Sequence, residues 1–343
     1  MYKRIKTFND VGSPFFDKKY WYLRSRYIVN TEITQYDTDD IVHAKCVVNF
    51  ADYINTEDCI YFSDFSNYQL GVINKSTFDL EYAEICLIGL NSESVTSRLQ
   101  FVGNIKSKGF GLYDFKTMQI EKIFSPDPVY KRIISVNDSF FKIGGIETPG
   151  IISFCDLNDQ LKWQLDLSES GSYKDVFGKK QIGEIKSVHS DQNSVIVVAG
   201  TVIVCYNLTT GNAMWELKSE RWPFGKWLIV DGNVGYVAGE IGYQCIDLVN
   251  GTFISPVFTL KNIEIANKSI SPSGREMVLN DGLLWHSISD SGISVIAAID
   301  PSSGEYVWHQ KIETKGWIHS PKFYLDKMYI LSSEGELLIY QKE

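Results

Sequence analysis

An Asp or Asn closes a short apolar run at nearly even intervals along this chain: Asn74, Asp114, Asp156, Asn207, Asp247 and Asp300, with Gln341 in the same place. Successive gaps are 40, 42, 51, 40, 53 and 41 residues. A period near 40 with only strand-like segments between the marks is the signature of a β-propeller with about four strands per blade. The seven marks therefore predict an all-β, seven-bladed β-propeller of four-stranded antiparallel blades, folded as a single domain over residues 1–343. Blades are expected at about 40–83, 84–124, 130–166, 180–218, 225–258, 274–311 and 316–343.

The clearest repeats run from Gly200 to Trp215 and from Ala298 to Trp308, with Cys245-Ile-Asp247-Leu-Val-Asn-Gly251 between them. Each reads as a strand, a tight reversal and a second strand. The Asp or Asn side chain can accept bonds from the turn backbone, and the Gly four residues on supplies a left-handed residue. Trp215 and Trp308 lie eight residues after their marks, and Trp163 seven after Asp156. Rings there can fill the wedge between neighbouring blades.

The last apolar run, Leu337 to Tyr340, ends with the chain and leaves the last blade without an outer strand. An open edge is a liability, so a strand from residues 1–30 is expected to close the ring. Tyr20–Ile28 is the better strand former by its alternation, and Lys3–Phe8 is the other candidate.

This repeat of Gly, apolar strand, Asp, small residue, Gly and Trp resembles the pyrroloquinoline-quinone-like propeller family, well over 150–343 and faintly over 40–150. Asn74-Lys-Ser-Thr and Asp114-Phe-Lys-Thr lack the Gly. The resemblance implies a propeller fold. Members include a bacterial outer-membrane assembly lipoprotein and the quinoprotein dehydrogenases, which are exported and usually carry calcium ligands and an adjacent Cys pair; no export signal and no adjacent cysteines are read here. No cofactor is expected.

Chemistry is hard to find elsewhere. There is no GxSxG, HExxH or GxxxxGK[ST] motif. The histidines (His43, His189, His286, His309, His319) make no metal-type pair by local spacing, although a propeller could bring His286 and His319 together. Asp281 and Asp290 are turn residues of the kind any β protein carries. The six cysteines form no CxxC pair and fit small buried strand positions with reduced thiols.

Net charge is −9, which argues against nucleic acid as partner. Its distribution is uneven: residues 1–30 carry a net +5 and residues 31–93 a net −10. The second block is either solvated strand edge or an acidic face built to meet a basic protein. No export signal or bilayer-length apolar run is read in the sequence. The expectation is a cytoplasmic protein, monomeric and without membrane contact.

Two long connectors, Ser168–Gly178 and Lys261–Pro272, produce the stretched gaps. Between them lies Glu220-Arg-Trp-Pro-Phe-Gly-Lys-Trp227, and later Gly316-Trp-Ile-His319. Exposed Trp and Arg beside loops are interface chemistry, while Trp222 and Trp227 could equally plug gaps between blades. The expected protein-binding residues are Arg221, Trp222, Phe224, Trp227, Trp317 and Tyr173, with Asp37, Asp39, Asp40, Glu57 and Asp58 on the acidic face. The function expected is a non-enzymatic protein-binding scaffold, in its specific form an immunity or inhibitor protein that masks a partner toxin or enzyme. The alternative is an enzyme acting on a small molecule or sugar at the channel mouth.

Overall fold

The computed structural model describes residues 2–26, 30–49, 52–64, 66–90, 99–104, 109–114, 119–124, 130–136, 139–145, 147–220, 223–225, 228–239, 242–265, 267–272 and 277–343. Among them every regular element is a β-strand. The backbone separates into two compact units, Asp10–Leu165 on one side and Met1–Asn9 with Asp166–Glu343 on the other.

The unit Asp10–Leu165 opens with a four-stranded antiparallel sheet of Phe15–Phe16, Trp21–Arg24, Thr31–Tyr36 and Val42–Val48. A seven-stranded sheet follows, from Tyr53–Asn55 to Gln119–Phe124. It is two four-stranded sets sharing one long strand, Leu80–Leu90. Leu80–Cys86 pairs back onto Gln69–Ile73, while Leu87 and Leu90 pair forward onto Asn104 and Val102. Tyr130–Val136, Ser139–Gly144, Ile151–Asp156 and Leu161–Asp166 make the last sheet. Among the residues whose burial is described, inner strands of the first two sheets are apolar on both faces because one sheet covers the other. Phe15, Tyr22, Ile33 and Val48 of the first sheet form one core cluster with Ile60, Phe62 and Ile73 of the second. Full burial of each such ring or branched chain stabilises by roughly 2 kcal/mol.

In the other unit, sheets run Ile185–Lys218, Leu228–Thr259, Met277–Ile312 and Lys322–Lys342. The last sheet has only three strands of its own. Its fourth is Tyr2–Phe8, antiparallel to Leu337–Lys342, with Tyr2 opposite Lys342 and Phe8 opposite Leu337. Of the two N-terminal candidates, the aromatic one is therefore spent elsewhere. Trp21 and Tyr22 are fully buried in an inner strand, as their size favours, whereas the basic Lys3–Lys6 stretch suits an exposed outer edge.

Each unit thus holds four strand sets among its described residues, all four-stranded except the five-stranded Leu228–Thr259 set, and the total is one more than the marks predict. The unnoticed mark is Asp37. It ends the strand Thr31–Tyr36, and its Oδ1 accepts from the amides of Asp39 (2.9 Å) and Ile41 (2.8 Å). Asp156 does the same for Asn158 and Gln160, at 2.8 and 3.0 Å. Both turns place a left-handed Asp third after the mark, Asp40 at φ 63° and Asp159 at φ 65°. Asn207, Asp247 and Asp300 use Gly211, Gly251 and Gly304 at φ 68°, 61° and 75° instead. At Asn74, Phe78 takes that place with φ 61°.

In two repeats an outer-strand aromatic packs on the next sheet's turn, whereas Trp163 packs on Phe141 and Phe154 of its own sheet and Trp308 on Trp285 and Tyr2. Trp215 Nε1 donates to Leu248 O at 3.1 Å, and a Cβ on Gly251 would lie 2.3 Å from the Trp215 ring. Phe258 lies against Gly304 in the same way, at 2.4 Å. These glycines are required twice, for backbone conformation and for the ring seated on them.

Two consequences are measurable. Removing residues 2–8 strips the edge from Leu337–Lys342 and takes Tyr2 off Trp285, where the rings meet at 5.6 Å. The truncated chain should melt more than about 5 °C lower, or lose cooperativity, in a circular-dichroism thermal scan. His286 is fully buried, stacked on Tyr306 at 5.8 Å, and no described residue bonds either ring nitrogen. Burial pushes its pKa down to about 4. The unfolded chain therefore binds the proton more readily, and stability falls as pH drops from about 6.5 toward 4. The full effect is on the order of 3 kcal/mol. Denaturant titrations across that window should show a weaker pH slope for His286→Leu than for the wild type.

Candidate functional site

A cleft of about 880 Å³ opens in the unit Asp10–Leu165, at the turns joining strands of its first two sheets. Three tight turns wall it. The Asp17–Tyr20 turn is fixed by Asp17 Oδ1, which accepts from the Lys19 and Tyr20 amides, both at 2.8 Å. Thr56 closes the second, its hydroxyl bonding Cys59 O at 3.0 Å. Asn74 makes the third by accepting from the Ser76 amide at 2.9 Å.

Lys75 ties the three together. Its side chain is only 6% exposed, and its Nζ lies 2.9 Å from Asp17 Oδ2. Nζ also donates to Thr56 O at 2.5 Å and sits 5.4 Å from the centre of the Tyr22 ring. Tyr22 donates its hydroxyl to Asp17 Oδ2 at 2.6 Å, and Gln35 Nε2 donates to Tyr22 Oη and to Lys75 O. Burial alone would push the Asp17 carboxyl up. The Tyr22 hydroxyl, the Tyr20 amide, Lys75 and the Lys19 amide outweigh it and hold the group below its ordinary value. Burial, then the Asp17 carboxylate, push the Tyr22 phenol far up, so it stays protonated. Both charges on the floor are already satisfied. The floor is a framework, and a ligand would meet the rim.

That rim carries Lys18, Lys19, Tyr20, Glu57 and Asp58. Lys18 and Glu57 lie 3.5 Å apart with side chains 93% and 80% exposed, so water screens the pair and a partner could exchange either end. Asn55 donates to Phe16 O at 2.9 Å, while its buried Oδ1 has no hydrogen-bond partner among the described residues. The Tyr20 ring lies tilted against His43 at 5.4 Å, and His43 Nε2 meets Asp37 Oδ2 at 3.1 Å. Through His43, Tyr20 on the cleft rim thus reaches the acidic turn at Asp37.

The expected site residues are distributed unevenly over this geometry. Glu57 and Asp58 are exposed on the cleft. Asp37 and Asp40 are turn residues first: Asp37 caps the turn, and Asp40 Oδ1 accepts from Trp21 Nε1 at 3.0 Å. Asp39 is exposed. In the other unit, Trp317 is 45% exposed with its ring edge-on to His319 at 4.4 Å, and Tyr173 is half-buried in a short hairpin. Phe224 is 3% exposed and packs with Val237 and Ile246, so its ring serves the core and is not presented to a partner. Arg221, Trp222 and Trp227 lie outside the described residues. His286 does not meet His319; it stacks on Tyr306. Asp281 receives Lys342 Nζ at 2.7 Å, and Asp290 bonds the neighbouring Ser291 hydroxyl.

Asp17, Tyr22, Gln35 and Lys75 escape the sequence reading. One signal was available. The residue after the mark is Leu157, Leu208 and Leu248 in three later repeats, each at least partly buried in a core cluster or alone. Lysine at that place in the Asn74 repeat announces a buried cation in search of a carboxylate.

Comparisons with known proteins bear on fold. No family model matches the chain, and no curated protein matches it in sequence. Among solved structures, BamB from Moraxella catarrhalis is similar at 9% identity with a TM-score of 0.59, covering 99% of this chain and 100% of that one. The computationally designed Ika8 protein is similar at 11% identity and TM-score 0.59, over 97% and 96% of the two chains. BamB is a β-propeller, and at these identities the likeness shows that fold alone.

Replacing Lys75 with Met leaves Asp17 and its ring of donors without their cation. Breaking a buried pair of this kind costs about 3 kcal/mol. Urea denaturation should register that loss for Lys75→Met, while Lys18→Met, on the exposed rim, leaves the midpoint in place.

Proposed function

We propose that the protein is a non-enzymatic protein-binding scaffold, and that the cleft of the unit Asp10–Leu165 receives a basic segment of another protein. One observation carries the reading: Tyr20, on the cleft rim with Glu57 and Asp58, reaches the acidic turn at Asp37 through His43. Residues 31–93 contribute a net charge of −10, which would steer a basic partner toward it. The floor beneath is cross-bonded through Asp17, Tyr22, Gln35 and Lys75, so little ordering is left to be done on binding. Tyr20, half-buried and aromatic, is the anchor such an interface uses. The saturated Asp17 and Lys75 favour binding over proton transfer.

Within that class the specific form is an immunity or inhibitor protein that covers a basic active site, by steric and electrostatic masking. The repeat behind it is of the pyrroloquinoline-quinone-like kind without a quinone site, a kinship resting on the Gly, Asp and Trp spacing of 150–343.

Affinity purification from the native host, with wild type and Glu57→Arg/Asp58→Arg in parallel, tests the proposal. A stoichiometric protein should be recovered by the wild type and lost from the variant. Its retention should also fall steeply between low and physiological salt. Absence of any stoichiometric partner, or a partner indifferent to both charge and salt, would overturn the reading.

A further inference from the structure

Two hairpins stretch the repeat in the unit Asp166–Glu343, and they are used in opposite ways. The second, Ile263–Ile265 with Lys268–Ile270, folds inward, with Ile263 and Ile270 3% and 1% exposed beside Ile288 and Val295. The first, Tyr173–Lys174 with Lys180–Gln181, points its turn away from any core. Val176 and Phe177 at its tip are 91% and 92% exposed, the barest large apolar side chains among the described residues; Leu325 follows at 64%. A turn needs no apolar residue there, and these two contribute nothing to packing.

The tip is held firmly. Asp175 Oδ1 accepts from the amides of Phe177 (3.0 Å) and Lys179 (2.9 Å), and Gln181 Nε2 donates to Asp175 Oδ2 at 2.7 Å. Gly178 completes the turn at φ 78°. At the foot, Gly171, Gly183 and Gly200 meet backbone to backbone. A Cβ on Gly171 would lie 2.3 Å from Ala199 O, and one on Gly183 2.4 Å from Leu167 O. The Gly171 amide donates to Leu167 O at 2.9 Å, and Gly171 O accepts from Thr201 N at 3.0 Å. Lys174, Lys179 and Lys180 stand exposed just behind the tip, Lys180 with Glu169 at 2.6 Å.

We propose that this hairpin docks on an anionic lipid surface, with Val176 and Phe177 below the headgroups and the lysines at phosphate level. Apolar bodies with long cationic stems behind them are what the bilayer interface accommodates. A protein socket is the weaker fit, because a stable protein interface buries on the order of 800 Å² per partner and a two-residue ribbon tip supplies a fraction of that. A bilayer requires no matched area. The chain's net charge of −9 opposes approach, but that repulsion fades over a Debye length of about 8 Å, and the lysines lead. The tip and the cleft belong to different units, and neither proposal depends on the other.

Sedimentation of the full chain with phosphatidylcholine vesicles, plain or carrying about 30% phosphatidylserine, tests it. Wild type should partition to the anionic vesicles. Val176→Ser/Phe177→Ser should weaken that partition at least about tenfold, and Lys174→Gln/Lys179→Gln should weaken it at least about tenfold on anionic vesicles only. Both variants change exposed residues and should keep the wild-type melting curve. Failure of the wild type to sediment, or sedimentation unchanged by the tip variant, overturns the proposal. So does loss of a stoichiometric protein partner from the tip variant when no vesicle binding is seen, which would assign the tip to a protein socket.

Discussion

The side-chain oxygen of a strand-end Asp or Asn, accepting two amides of its own turn, is the contact on which the rest of this structure depends. It reverses the chain in four or five residues. That keeps consecutive strands antiparallel and adjacent, and brings the outer-strand ring of one sheet over the turn of the next. Trp215 on Gly251 and Phe258 on Gly304 show the coupling directly. The turn needs a left-handed residue, and the ring needs that residue to be small. Where glycine is absent, Phe78, Asp40 and Asp159 carry the positive φ.

The cleft arises from a change in this scheme. A lysine stands after the Asn74 mark where Leu stands in three other repeats, and a buried ammonium must find a partner. Asp17 provides it from the preceding sheet, with Tyr22 and Gln35 completing the network. Two sheets that share an apolar core cluster are thereby also pinned at their turns, and a polar concavity is left beside the pin. Its rim carries exposed charges, Lys18 and Glu57 among them, while Lys75 of its floor is buried and bonded to Asp17.

Strand grammar was plain in the sequence because it is local: short apolar runs, turn residues and a period near 40 need no tertiary information. The turn chemistry of Asn207, Asp247 and Asp300 could be read to the hydrogen bond. Counting was harder. Asp37 lies among Asp39 and Asp40, where charge density disguised a turn mark as an acidic surface, and its turn has no Gly to announce it. The preference for Tyr20–Ile28 as an edge strand failed on burial: alternation of large aromatics suits an inner strand covered on both sides, and only packing decides which strand is covered. Phe224 reads as interface chemistry in sequence and proves to be core.

By itself, then, the sequence determined an all-β chain of four-stranded repeats, the residues that turn each repeat, and the uneven charge along it. These follow from contacts within about ten residues, which composition and spacing encode. Tertiary structure alone decided that the first strand completes the last sheet, that Lys75 is a buried cation paired 58 residues back with Asp17, and that one inserted hairpin folds inward while the other presents Val176 and Phe177. Those outcomes depend on what lies across the gap between sheets, and no local pattern records it.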